Sequence, residues 1–263
     1  MISFFKKIRQ ISLAKNRFSN YLVYALGEII LVVIGILLAL KINNWNQDRK
    51  NATQEQRILQ DILKNLERNQ FLKERGVITW QDVISTADSL LQVMHHPTQR
   101  PSNEQLDLMI HKLTINWSSA TSVTMYDVLS GSGDLGLVSS ALIRSKLADY
   151  KANMEFLIKF EDVQSRFVDQ QLRPFLNRFV DRGVFRSSIQ KGELVITRNQ
   201  PLFTSSYDEL LRSREFANLL EDLTIFTRKL IGVYGRLGND MEQIDSLILL
   251  AYPSQEIKTY VPY

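Results

Sequence analysis

Glu28 is the first residue whose chemistry stands out, because it is the sole carboxylate in a long apolar run. Residues 21–42 read YLVYALGEIILVVIGILLALKI, dominated by Leu, Ile and Val. An ionisable group in such a run is costly, and where it persists it marks pairing, an ion path or a helix contact. At 3.6 residues per turn Glu28, Gly35 and Ala39 fall on nearly one face. Gly35 and Ala39 form a small-xxx-small pair, the spacing that lets helix backbones approach closely. These three residues read as a packing face for another membrane helix, with Glu28 as its polar contact. Proton or ion carriage beside a partner channel is a sharper alternative. A carboxyl reaching toward water from the edge of the run is a blander one.

Other chemistry-bearing residues form weaker constellations. Gly131-Ser-Gly-Asp-Leu-Gly136 matches G-x-G-x-x-G, but the dinucleotide fingerprint needs a preceding strand and a βαβ unit. The pattern here predicts a helix before it, so it reads as an interhelical turn. Ser188 with Lys191, and Ser12 with Lys15, match S-x-x-K, but the partner motifs of acyl-serine chemistry, S-D-N and K-T-G, are absent. His95, His96 and His111 are the only histidines. An adjacent pair before Pro97 suits a loop, and a metal site would need further ligands converging on it. The neighbouring carboxylates Glu161-Asp162 and Glu221-Asp222 point apart on a helix and are expected to form a solvated face. With no cysteine there is no disulfide framework and no thiolate metal site. The expectation is no enzyme, no metal and no cofactor.

The elements that would position Glu28 follow from length and flanks. Residues 21–42 suit a helix crossing a hydrocarbon core, which takes about 20 residues. Tyr21 and Tyr24 at one end and Trp45 at the other suit the interfacial aromatic belts. A cleaved leader would have a shorter apolar core and a small-x-small site, whereas Ala39-Leu40-Lys41 and Ile42-Asn43-Asn44-Trp45 follow here. Five basic residues precede the run, Lys6, Lys7, Arg9, Lys15 and Arg17, against Lys41, Arg49 and Lys50 after it. That bias puts the N-terminus in the cytoplasm and the C-terminal domain outside. The organisation expected is a basic cytoplasmic arm over 1–20, a transmembrane helix over 21–42, and a soluble helical domain over 43–263. The arm, with Phe4, Phe5, Ile8 and Ile11 near helical spacing, could also lie on an anionic leaflet. About 20 residues of arm are too few for a signalling output domain.

The charge balance agrees. The sequence pI is about 9.2, yet residues 1–50 hold eight basic groups against Glu28 and Asp48, and the remaining 213 residues hold 24 basic and 26 acidic groups. The basicity belongs to the membrane-proximal part, and no nucleic-acid partner is expected. Hydrophobic residues at 44% and charged residues at 23% are ordinary for a folded chain.

Beyond the span, apolar positions recur at three- and four-residue steps over 52–94, with Gly76 able to bend or divide that helix. Residues 95–101 break it. Ser102 with Gln105 predicts a capping box opening a helix to about Ile115. A short helix over 123–129 and a turn over 131–136 follow. A long helix over 140–179 should be interrupted at Pro174. Residues 183–201 are the least helical, with Leu194-Val-Ile-Thr197 a candidate strand or hairpin. Ser206 with Glu209 predicts a second capping box, and helix resumes to about Ala251. The fold class is therefore mostly α: one N-terminal transmembrane helix followed by an antiparallel helical bundle, with room for one short β-hairpin.

The stretch from Tyr24 to Asn46, with Phe4-Phe-Lys-Lys-Ile-Arg9 before it, resembles an uncharacterised family of single-span bacterial membrane proteins, a domain of unknown function. The resemblance is strong over 1–60 and weaker in the segment Tyr126-Asp-Val-Leu-Ser-Gly-Ser-Gly-Asp-Leu135. It implies the inner membrane of a Gram-negative bacterium and carries over no catalytic residue. The function expected is a membrane-anchored periplasmic interaction module, a scaffold or accessory subunit. Its partners would be the lipid bilayer and a membrane protein or a second copy of itself. The competing reading is a periplasmic bundle that senses a small ligand and signals through a partner.

Overall fold

The first helix, α1 (Ser19–His95), runs for 77 residues. No proline occurs before Pro97, so every N–H along it can close its intrahelical bond. Gly76 does not divide it. A helical glycine costs only about 1 kcal/mol, and Gly76 is buried. The computed structural model describes residues 19–116, 124–190 and 193–252. These fall into two units divided after Gln56.

Within the second unit, residues 57–95 of α1 present a buried stripe that includes Leu59, Ile62, Leu66, Trp80, Val83, Ala87 and Leu90. A short 3₁₀ turn (Pro97–Gln99) leads to α2 (Asn103–Leu113). Its capping box is present: Gln105 N–H donates to Ser102 Oγ at 3.2 Å and Ser102 N–H to Gln105 Oε1 at 2.9 Å. Helix α3 (Thr124–Ser132) extends past Gly131, so the turn begins two residues later than expected. Gly133 supplies its left-handed conformation at φ 81°, where an L side chain would be strained.

Helix α4 (Ala141–Phe167) is capped by Ser140, whose Oγ accepts the Ile143 N–H at 3.3 Å. It passes through a wide π turn (Val168–Leu172) into the short α5 (Arg173–Leu176). The expected interruption by Pro174 takes this form. The Arg173 N–H reaches back five residues to the Val168 carbonyl, and the widened turn accommodates the proline. Strands β1 (Phe185–Gln190) and β2 (Glu193–Arg198) pair antiparallel, from Phe185 opposite Arg198 to Gln190 opposite Glu193.

Helix α6 (Tyr207–Leu211) is only five residues long. Its expected capping box does not form, since the Ser206 side chain makes no cap bond. The Ser206 N–H that Glu209 would have accepted is given to the Phe179 carbonyl at 2.7 Å. The working cap lies later: Ser213 Oγ accepts the Phe216 N–H at 3.3 Å and opens α7 (Arg214–Ala251).

Cross-helix contacts set the bundle. Asn153 meets Asp240, Glu161 meets Tyr234 and Phe167 meets Phe226. As numbers rise along α4 they fall along α7, so the two are antiparallel. Asp88 meets Arg228 and Asn69 meets Tyr150, which puts residues 57–95 of α1 antiparallel to α7 and parallel to α4. The core is continuous across these three segments, with Leu59, Leu147, Leu157, Leu220 and Ile244 fully buried.

Candidate membrane-anchoring and packing site

Over residues 26–42 of α1 every side is exposed. The uncovered side chains in and just before that stretch include fourteen Leu, Ile and Val residues, from Leu22 at 59% to Ile42 at 65%. About half of each is in contact with surroundings, so moving each from water into hydrocarbon gains about 1 kcal/mol. The total is on the order of 14 kcal/mol, against about 2.5–3.5 kcal/mol for one charged residue at the centre of a span. Glu28 alone does not cancel the drive of this segment out of water. The helix is long and apolar enough to cross a membrane, and its backbone groups are satisfied internally, as a bilayer demands.

Glu28, Gly35 and Ala39 are all exposed. A methyl group added at Gly35 would meet no atom within 4 Å, so the small-residue face has open space in front of it. Tyr21 is 57% and Trp45 65% exposed, while Tyr24 is half-buried. Lys6, Lys7, Arg9, Lys15 and Arg17 lie outside the described residues.

In the second unit the paired-carboxylate expectation needs correction. Asp162, Glu221 and Asp222 are exposed as expected, and Asp162 pairs with Arg166 at 2.7 Å. Glu161, however, is buried and accepts the Tyr234 hydroxyl. Positions 157, 161, 164 and 168 form one inward stripe on α4, so Glu161 sits between Leu157, Gln164 and Val168. Adjacency to Asp162 hid that spacing. Asn69 and Tyr150 add a second buried pair, the Asn69 amide donating to the Tyr150 hydroxyl at 2.7 Å. Burial pushes that phenol up to about 12. Trp80 and Gln164 are buried and each has a side-chain nitrogen without a partner. These groups make a polar seam inside an otherwise apolar core, and polar groups there fix which residues face one another.

The histidines do not converge. His95 and His96 are exposed. His111 is half-buried with its ring centroid 5.9 Å from that of Phe185. Burial first, then the charges of Arg182 and Arg173, lower its pKa. Among the described residues no group of three or more His, Asp or Glu could hold a metal ion. A cleft of about 280 Å3 brings Glu67, Glu242 and Asp245 together. Burial first, then the charge of Glu67, raises the Asp245 carboxyl above its ordinary value. The lining adds only Gln70 and apolar side chains.

The Gly131–Gly136 motif spans the end of α3 and the turn that leads to α4, with the Gly136 N–H donating to the Gly133 carbonyl at 3.0 Å. It joins two helices, and among the described residues no strand precedes it. Residues 28–158 match the model of a family of unknown function, DUF6090. The matched range takes in Glu28, Gly35 and Ala39, α2 and α3, and most of α4. It covers two of the segments on which the sequence resemblance rested, the apolar run from Glu28 onward and residues 126–135, while Phe4–Arg9 and Tyr24–Gly27 lie outside it. No curated protein and no solved structure matches the chain.

Proposed function

We propose that this chain is a membrane-anchored helical interaction module, a scaffold or accessory subunit of a membrane complex, and not an enzyme. Residues 21–42 cross the inner membrane of a Gram-negative cell, residues 1–20 stay in the cytoplasm, and residues 43–263 stand in the periplasm. The Glu28, Gly35 and Ala39 face packs on another membrane helix. The observation that carries the reading is the uninterrupted exposure of residues 26–42, which water would not tolerate in so long an apolar helix. The open space in front of Gly35 supports the packing face, because close helix approach in lipid depends on small residues. The basic residues ahead of the span support the orientation.

The natural chain has no cysteine, which makes single-cysteine tests clean. Ala39→Cys in the full chain, labelled with a benzophenone maleimide and irradiated in native membranes, should give a discrete cross-linked species that Glu28→Ala and Gly35→Leu each weaken severalfold. No cross-link, or one indifferent to both changes, would remove the packing face. Ser145→Cys, on an exposed position of α4, should react with an impermeant maleimide from outside the inner membrane. Reaction only after lysis would reverse the orientation. A second reading, a periplasmic bundle that senses a small ligand and signals through a partner, is favoured by a cavity of about 390 Å3 beside the start of α7.

A further inference from the structure

The cavity lies where the last turns of α1 meet α6 and the first turn of α7. Its walls are of two kinds. Leu91, Met94, Leu211 and Ala217 supply carbon, all of them partly buried. Arg100, Asp208, Arg212 and Arg214 supply charge.

The charged residues are not equivalent. Each nitrogen of the Arg100 guanidinium has a partner. Its Nε pairs with Asp208 Oδ1 at 2.9 Å, Nη1 donates to the Pro101 carbonyl at 3.1 Å, and Nη2 donates to Asn103 Oδ1 at 2.8 Å. Asp208 is thereby neutralised by Arg100. Arg212 and Arg214 are exposed and make no ion pair or side-chain hydrogen bond among the described residues. The nearest acid in sequence, Glu215, is taken by Arg178 at 3.1 Å. The cavity's lining therefore includes two arginines with no side-chain partner among the described residues, together with apolar side chains.

We propose that this cavity binds a small organic carboxylate with an apolar body, the carboxylate received by Arg212 and Arg214 and the body resting on Leu91, Met94 and Leu211. The guanidinium fork matches a carboxylate with two parallel hydrogen bonds. Carbon walls give a bare inorganic anion nothing to fill them with. At about 390 Å3 the space is near the small end of ligand clefts, which run from about 300 to 1,000 Å3, so a long-chain lipid is too large. Exposed guanidinium groups bind weakly in water, so the head selects the ligand and the body holds it. This proposal names the ligand class for the sensing reading, and its test does not depend on whether the span packs on a partner.

The experiment is equilibrium dialysis of the full chain in zwitterionic nanodiscs against 3-phenylpropionate, with empty nanodiscs as blank. Acetate provides the same head without the body, and 3-phenylpropan-1-ol the same body without the charge. The expected result is saturable binding of 3-phenylpropionate with both matched probes at least tenfold weaker. Arg212→Gln with Arg214→Gln should weaken it at least tenfold. Arg228→Gln, a distant exposed guanidinium paired with Asp88 at 3.5 Å, should leave it unchanged. Both Arg212 and Arg214 are exposed, so their replacement leaves the fold intact, checked by circular dichroism. Absence of saturable binding, equal binding of the alcohol, an indifferent double variant, or an equal loss in Arg228→Gln would each overturn the proposal.

Discussion

Residues 21–42 of α1 and the inward stripe of α7 are made of the same side chains and meet opposite surroundings. In α7, Leu220, Leu223, Leu230, Leu237 and Ile244 are fully buried, and polar positions alternate with them at helical spacing. In the first segment Leu, Ile and Val occupy all faces, and all are exposed. One stripe can be covered by two neighbouring helices. A helix apolar all round cannot be, short of the interior of a large protein or a membrane. The difference teaches that the periphery of the helix, more than its total hydrophobicity, decides which solvent it belongs in.

The comparison can be broken most strongly by charging the first segment. Val33→Arg with Leu37→Arg should cost about 5–7 kcal/mol of insertion, at about 2.5–3.5 kcal/mol each. The chain should move from membrane to supernatant in cell fractionation, with the thermal transition of the helical bundle unchanged. Next in size, Leu220→Ala should destabilise the bundle by about 2–5 kcal/mol in urea unfolding. The same truncation at Leu31 should shift that transition by less than about 0.5 kcal/mol, because its side chain is 66% exposed.

Smaller effects sharpen the account of the bundle. Tyr234→Phe removes a hydroxyl from buried Glu161 and should cost about 1–3 kcal/mol. An effect below about 0.5 kcal/mol would show that the polar seam contributes little. Ser102→Ala should cost about 0.5–2 kcal/mol through loss of a working cap, while Ser206→Ala should stay within about 0.5 kcal/mol. The smallest effect is in pH. The native pKa of His111 is lowered, so the unfolded chain holds the proton more tightly than the native one. Its contribution is therefore complete above the ordinary histidine value of about 6.5 and is lost as pH falls below it. His111→Gln should flatten the decline in melting temperature between pH 7.5 and 5.5. The raised carboxyls of Asp107 and Asp245 act with the opposite sign and are common to both proteins.

Much of this was legible in the sequence for identifiable reasons. The span, the Ser102 cap, the hairpin near Leu194 and the end of α7 at Ala251 rest on local patterns that tertiary contacts did not override. The Ser206 cap failed because a distant carbonyl, that of Phe179, claimed the N–H the motif needed. Glu161 was misread because adjacency to Asp162 was weighed above its four-residue step from Leu157. The face proposed for packing, Glu28, Gly35 and Ala39, rests on helical spacing alone. The cavity with Arg212 and Arg214 could not be named from spacing, because it joins residues more than a hundred positions apart and no local pattern marks it.

The measurement that bears most directly on the central claim is alkaline extraction of native membranes followed by detection of the full-length chain. The account predicts that the intact chain stays in the pellet after carbonate washing and is released only by detergent. Recovery of the chain in the carbonate supernatant, or of a mature form that starts after Trp45, would contradict it.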